Sequence, residues 1–155
     1  MSEEVRVAYS EGQIGRIILA RILPGTDVTE GITKILKEKN IRSGWVSMIG
    51  SLQKTSYYYL ERNGAKLGAG YGAANERTFP VELCNAMGLI CEGGLHIHAS
   101  MCGDDGVFYG GHLIAGSSPS LATVEVLIVE VVGGNFVRKY DPEADGNHFA
   151  PYEDK

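Results

Sequence analysis

The sequence predicts an α+β domain: a two-layer α/β arrangement in which one helix covers a largely antiparallel mixed sheet of about seven strands. Two observations carry this expectation. Apolar residues recur at helical spacing in one stretch only, about 27–40; elsewhere they fall in short β-rich runs bounded by turn residues. The 21 glycines among 155 residues, many of them paired, suit the tight turns of a strand-rich chain. That length fits one domain, 1–155, with its core at about 15–141 and a polar surface tail at 142–155.

Taken in order, Arg16 to Leu23 reads as a strand stopped by Pro24-Gly25. Asp27 then caps the helix, with Glu30 three residues on completing a capping box. Val28, Ile32, Ile35 and Leu36 make its apolar stripe, and Lys34, Lys37 and Lys39 suit the negative end of its dipole. Asn40 and Gly44 mark its exit. Strands follow from Trp45 to Leu52 and from Thr55 to Leu60, around a turn at Gln53-Lys54. The stretch with Gly64, Gly68, Gly70 and Gly72 reads as a loop; it lacks the lysine-serine or lysine-threonine pair and capped helix of a phosphate-binding loop. Val81 to Ile90 is a strand, or helix passing into strand. Leu95–Met101, Val107–Ile114 and Leu121–Val132 are strands. A turn at Gly133-Gly134-Asn135 leads into a last strand, Phe136 to Tyr140.

The charge balance narrows the functional classes. With 19 acidic against 14 basic residues and a net charge of −5, no lysine or arginine cluster offers a phosphate-binding surface. Met1 to Glu4 is acidic, unlike the basic start of a secretory signal, and no apolar run approaches the roughly 20 residues of a membrane span. A cytoplasmic protein is expected. Cys84, Cys91 and Cys102, with no C-x-x-C, fit reduced thiols acting as small buried hydrophobes.

The chemistry concentrates between Gly93 and Gly116, a hairpin carrying three of the chain's four histidines. His96 and His98 alternate along a strand and share a face, roughly 6–7 Å apart at the backbone. The turn register decides where His112 falls. A turn centred on Asp104 sets His96 opposite His112, and one centred on Asp105 sets His98 opposite it. A turn centred between the aspartates sends His112 to the other face. In either of the first two registers, three neutral imidazoles suit a divalent metal, zinc by preference, and leave a position for water or a small-molecule ligand. The competing reading of H-x-H is a hydrogen-bonded pair on a polar surface. Gly110 and Gly111 beside His112 are expected to leave room for a ligand or a neighbouring subunit. Were the metal catalytic, Glu125 is the candidate general base, with a structural salt bridge or hydrogen bond to Arg21 or Arg138 as its alternative role. His148 is expected to be an ordinary exposed residue of the tail.

Three segments also resemble a known family. His96-Ile97-His98-Ala99, Gly110-Gly111-His112-Leu113 and Thr123-Val124-Glu125-Val126 are similar to motifs of the PPC domain family, the "plants and prokaryotes conserved" domain. Arg21 with Pro24-Gly25-Thr26-Asp27, Ile49-Gly50-Ser51-Leu52, and Pro80-Val81-Glu82-Leu83 with Gly88 support the match, from about Gly15 to Asp141. The resemblance implies a mainly antiparallel α/β fold, a homotrimer, and a metal on His96, His98 and His112. Plant members are associated with DNA through a separate AT-hook of R-G-R-P type, which this chain lacks. Three functions follow as expectations: a metal-binding homotrimeric module, a metal-dependent enzyme of hydrolase or lyase type, and, least supported, a DNA-associated regulator.

Overall fold

Side-chain alternation along the strands sorts this chain into one helix-covered face and one bare face. The computed structural model describes residues 5–134 and 136–151. The acidic start, Asn135 of the expected turn, and the end of the tail at 152–155 lie outside the described residues. The elements run β1 (Gln13–Ile22), α1 (Val28–Lys39), β2 (Gly44–Leu52), β3 (Thr55–Tyr58), β4 (Leu60–Arg62), β5 (Ala69–Tyr71) and β6 (Asn75–Arg77). They continue as β7 (Val81–Cys91), β8 (Gly94–Cys102), β9 (Phe108–Leu113), β10 (Ser120–Val132), β11 (Val137–Asp141) and β12 (Gly146–Ala150).

Eight strands form the main sheet in the order β1-β10-β2-β7-β8-β9-β3-β6, and the pairs β4-β5 and β11-β12 make two small ribbons. Every strand pairing described is antiparallel, so the sheet is not mixed. The expectation of about seven strands is thus too low, and the 12-residue helix is a minor element of the α+β fold. β4, β5 and β6 have three residues each, too few to leave a period-two signature in sequence. The tail is also corrected: β12 pairs with β11, and Ala150 at its end is 2% exposed.

Helix α1 forms where its cap and stripe direct it. Asp27 Oδ1 accepts from the amides of Thr29 (2.9 Å) and Glu30 (3.1 Å), satisfying two orphan donors of the first turn. The other carboxylate oxygen of the cap makes a tertiary bond. Asp27 Oδ2 accepts from the Ser118 amide at 2.7 Å, so the cap also ties the helix to the approach to β10. Asn40 closes the other end in the left-handed conformation. Val28, Ile32 and Leu36 pack onto Val46, Met48, Leu83, Ile97, Met101, Val124, Val126 and Ile128 from the covered face.

The opposite, bare face carries the alternate residues. One row crosses it through the register Leu19–Leu127–Ser47–Met87–His98–His112. Apolar side chains are exposed on this face: Leu19 at 81%, Ile17 at 63%, Ile49 at 54% and Met87 at 40%. The expected cysteine core is one-third right: Cys91 is buried, Cys102 half-buried and Cys84 exposed.

An ion pair pins β1 to both layers. Glu130 accepts from Arg16 Nε (2.7 Å), Nη2 (2.6 Å) and the Arg16 amide (3.0 Å), while Arg16 Nη1 donates to the Lys39 carbonyl at the helix end. The Arg16 hydrogen bonds hold the Glu130 carboxyl at about 2, against an ordinary 4.5. A folded value below the unfolded one means stability present above pH 4.5 and lost as pH falls towards 2. Melting temperatures of the protein and of Glu130→Gln should therefore differ most above pH 4.5 and converge as pH approaches 2. A difference that stays constant across that window would sink this assignment.

Candidate metal centre

The hairpin adopts the register centred on Asp105, with His98 opposite His112 and Cys102 opposite Phe108. Strand alternation sends Ile97 and Ala99 into the core and leaves His96 and His98 on the bare face. The three rings converge. Centroids are 5.0 Å apart for His96–His98, 4.9 Å for His96–His112 and 5.4 Å for His98–His112. One nitrogen from each ring lies within 4.8 Å of the other two.

Burial and nearby charge keep His96 and His112 uncharged. Burial, then the Arg138 guanidinium and the neighbouring imidazoles, pushes His96 down to about 4. Burial, His98 and Arg138 also lower His112. Around neutral pH, His96 and His112 thus retain the lone pairs that metal ligation needs. His112 Nδ1 is buried with no hydrogen-bond partner, an orphan that water or a ligand would ordinarily satisfy. Three converging imidazoles with one unsatisfied buried nitrogen fit a borderline-soft divalent cation.

Neighbouring side chains frame the cluster. Tyr71 and Tyr58 stand beside His112, with ring centroids at 5.2 Å and 6.4 Å. Tyr71 comes from the β4-β5 ribbon, so the glycine-rich stretch expected as a plain loop forms part of the site wall. Arg138 Nη1 lies 2.7 Å from His96 Nδ1, and its Nη2 donates to the Asn147 carbonyl of β12. Beside His98 an open groove of about 500 Å³ is lined by Met87, Ser100, Phe108, Tyr109 and Gly110.

Three expectations are corrected here. Glu125 lies on β10, separated from β8 by β2 and β7. Three strand spacings to β8 and four to β9 put it at least about 14 Å from the histidines, on the same face but beyond hydrogen-bond reach. Its expected ion pairs with Arg21 or Arg138 are also not among those of the described residues. Gly110 and Gly111 line the groove beside His98, but a neighbouring strand rather than a ligand takes the space of the missing side chains. A Cβ at Gly110 would lie 2.0 Å from the Ala99 carbonyl oxygen, and one at Gly111 (φ +154°) 2.0 Å from that of Tyr58. These glycines let neighbouring strands approach. His148 is exposed as expected, though on β12 rather than in a tail, and its charge acts on His96.

The model of the Plants and Prokaryotes Conserved (PCC) domain matches residues 9–132. The chain belongs to this family. The matched span contains all three clustered histidines, while the β11-β12 ribbon with Arg138 lies beyond it. Among solved structures, this PCC domain is similar to a metal-containing protein from Archaeoglobus fulgidus. They are 26% identical with a TM-score of 0.78, over 92% of this chain and 99% of that one. It also shares the fold of a plant- and prokaryote-conserved protein from Pyrococcus horikoshii, 22% identical with a TM-score of 0.76, over 96% and 99%. The Bifunctional protein GlmU of Synechococcus sp. is 26% identical over 128 residues, 82% of this chain; the chain spans only 19% of that relative.

Proposed function

We propose that this PCC domain is a metal-binding homotrimeric module of the cytoplasm, holding a divalent metal, zinc by preference, on His96, His98 and His112. The convergence of one nitrogen from each ring within 4.8 Å carries the reading. Support comes from the low proton affinity of His96 and His112, the orphaned His112 Nδ1, and the likeness to a metal-containing archaeal protein. The test is elemental analysis of protein purified without a histidine tag. One metal per chain is expected, and no stoichiometric metal would overturn the proposal. A bound zinc would supply Lewis acidity. The candidate base Glu125 stands three strands away, which favours a binding module over an enzyme acting within one chain. The groove beside His98 is the place for a small-molecule ligand. Nucleic acid is disfavoured by the net charge of −5.

That three copies assemble is what the resemblance to the PPC family implies, and the bare face supports association of copies as such. Leu19, Ile17, Ile49 and Met87 form an apolar tract leading to the histidines, a surface that monomeric proteins rarely leave uncovered. Copies of this chain would cover it and leave the metal near the interface. Light scattering should therefore report three times the 16.7 kDa chain mass. Leu19→Glu should lower that mass to one chain. Leu19 is 81% exposed, so the substitution should change the fold's own stability by only about 0.5 kcal/mol. A wild-type protein monomeric at micromolar concentration would sink the trimer.

A further inference from the structure

The partner of His96 has the wrong polarity for a metal ligand's support. A metal-bound histidine ordinarily donates its second ring N–H to a carboxylate, a carbonyl or water. Here the group 2.7 Å from His96 Nδ1 is the Arg138 guanidinium, which carries five N–H donors and no acceptor. His96 Nδ1 must therefore accept, and a neutral imidazole that accepts at Nδ1 carries its hydrogen on Nε2. That Nε2 lies 3.1 Å from His98 Nε2, to which it donates. The described contacts thus form one chain, from Arg138 through His96 to His98.

This chain is incompatible with a metal on His96, whichever nitrogen would bind it. If Nδ1 is the ligand, Arg138 occupies its lone pair. If Nε2 is the ligand, the hydrogen belongs on Nδ1, where it would face a guanidinium N–H. Charge acts in the same direction, since a guanidinium and a divalent cation on one imidazole repel each other. Displaced from His96, Arg138 stays tethered beside the cluster by its bond to the Asn147 carbonyl. There its planar fork is suited to an oxyanion, which would also offset the positive charge of the metal.

We propose that Arg138 is an exchangeable latch: it holds His96 when the cluster is free of metal, and turns to a small oxyanion, carboxylate or phosphate, when the cluster is loaded. This rests on the metal-binding reading above and goes beyond it, since it assigns the ligand class and a specificity residue outside the matched family span.

The test compares wild type with Arg138→Met, which keeps an extended side chain and removes every donor. Cobalt(II) is titrated into each full-length, metal-free protein, first in an anion-poor buffer and then with acetate or inorganic phosphate. Arg138→Met should bind cobalt roughly tenfold more tightly than wild type without added anion, equivalent to about 1.4 kcal/mol. Acetate or phosphate should perturb the visible cobalt spectrum of wild type at about tenfold lower concentration than that of the variant. Acetate acting alone assigns a carboxylate ligand, and phosphate acting alone a phosphate. Equal or weaker cobalt affinity in the variant would overturn the latch, and equal anion response would overturn the oxyanion assignment. Wild type and variant both failing to bind cobalt would overturn the metal reading itself. Should Arg138→Met fail to fold, nitrogen-15 spectra of the wild-type histidines decide. His96 should carry its hydrogen on Nε2 without metal and lose the Arg138 contact with it; a contact that persists in loaded protein ends the proposal.

Discussion

Zinc added to the metal-free protein should raise its melting temperature, and His98→Ala should abolish the rise. A ligand at a hundred times its dissociation constant stabilises the folded state by about 2.7 kcal/mol. In a domain of this size each kcal/mol moves the midpoint by about 2–4 °C, so the expected rise is roughly 5–11 °C. His98 is the informative position because it is exposed, so its truncation opens no cavity in the core. The metal-free variant should melt within about 4 °C of wild type, since truncating exposed His98 costs one hydrogen bond from His96 and opens no cavity. Its zinc affinity should fall by more than the roughly 10–100-fold that loss of an outer partner causes, because a ligand itself is gone. A His98→Ala protein that keeps the full rise would place the metal elsewhere. His112→Ala is the less clean experiment, because His112 is half-buried beside Tyr58 and Tyr71 and its loss also disturbs packing.

What could be read from the chain divides along the range of the interactions involved. Helix α1 was legible because its signals are local: Asp27 at the cap, the stripe of Val28, Ile32 and Leu36, and Asn40 at the exit. That His96 and His98 share a face was legible for the same reason. Whether His112 joins them depends on the centre of a turn rich in Gly and Asp, and shifting that centre by half a residue changes the face. Residue spacing left the register open, and the resemblance to the PPC family pointed to a clustered one; the structure sets it at His98 opposite His112. Strand order was not legible. β10 follows β9 in the chain, yet it crosses the sheet to lie between β1 and β2, which carries Glu125 away from the cluster. Arg138 was invisible as a site residue because it meets His96 across 42 positions of sequence, from a ribbon of two five-residue strands.

Gly110→Ala should both destabilise the fold and loosen the metal centre, because one atom would separate the strands that hold it. The added Cβ would sit 2.0 Å from the Ala99 carbonyl oxygen and 3.1 Å from Ser100 Cα, both in the backbone of β8. A flexible side chain could turn away from such a contact; a strand in the middle of an eight-stranded sheet cannot. Relief requires β8 and β9 to move apart, and overpacking of this kind costs about 1–3 kcal/mol, with rigid neighbours placing it near the top. Two residues on, His112 faces His98 directly across the same pair of strands, so opening them draws one ligand from another. The expected result is a midpoint lower by roughly 5–10 °C together with weakened zinc binding. Gly64→Ala provides the contrast, since nothing lies within 4 Å of a Cβ there. That substitution should be neutral or stabilising by up to about 1 kcal/mol, through the reduced freedom of the unfolded chain. If Gly110→Ala melted and bound zinc like Gly64→Ala, close strand approach would not be what Gly110 provides.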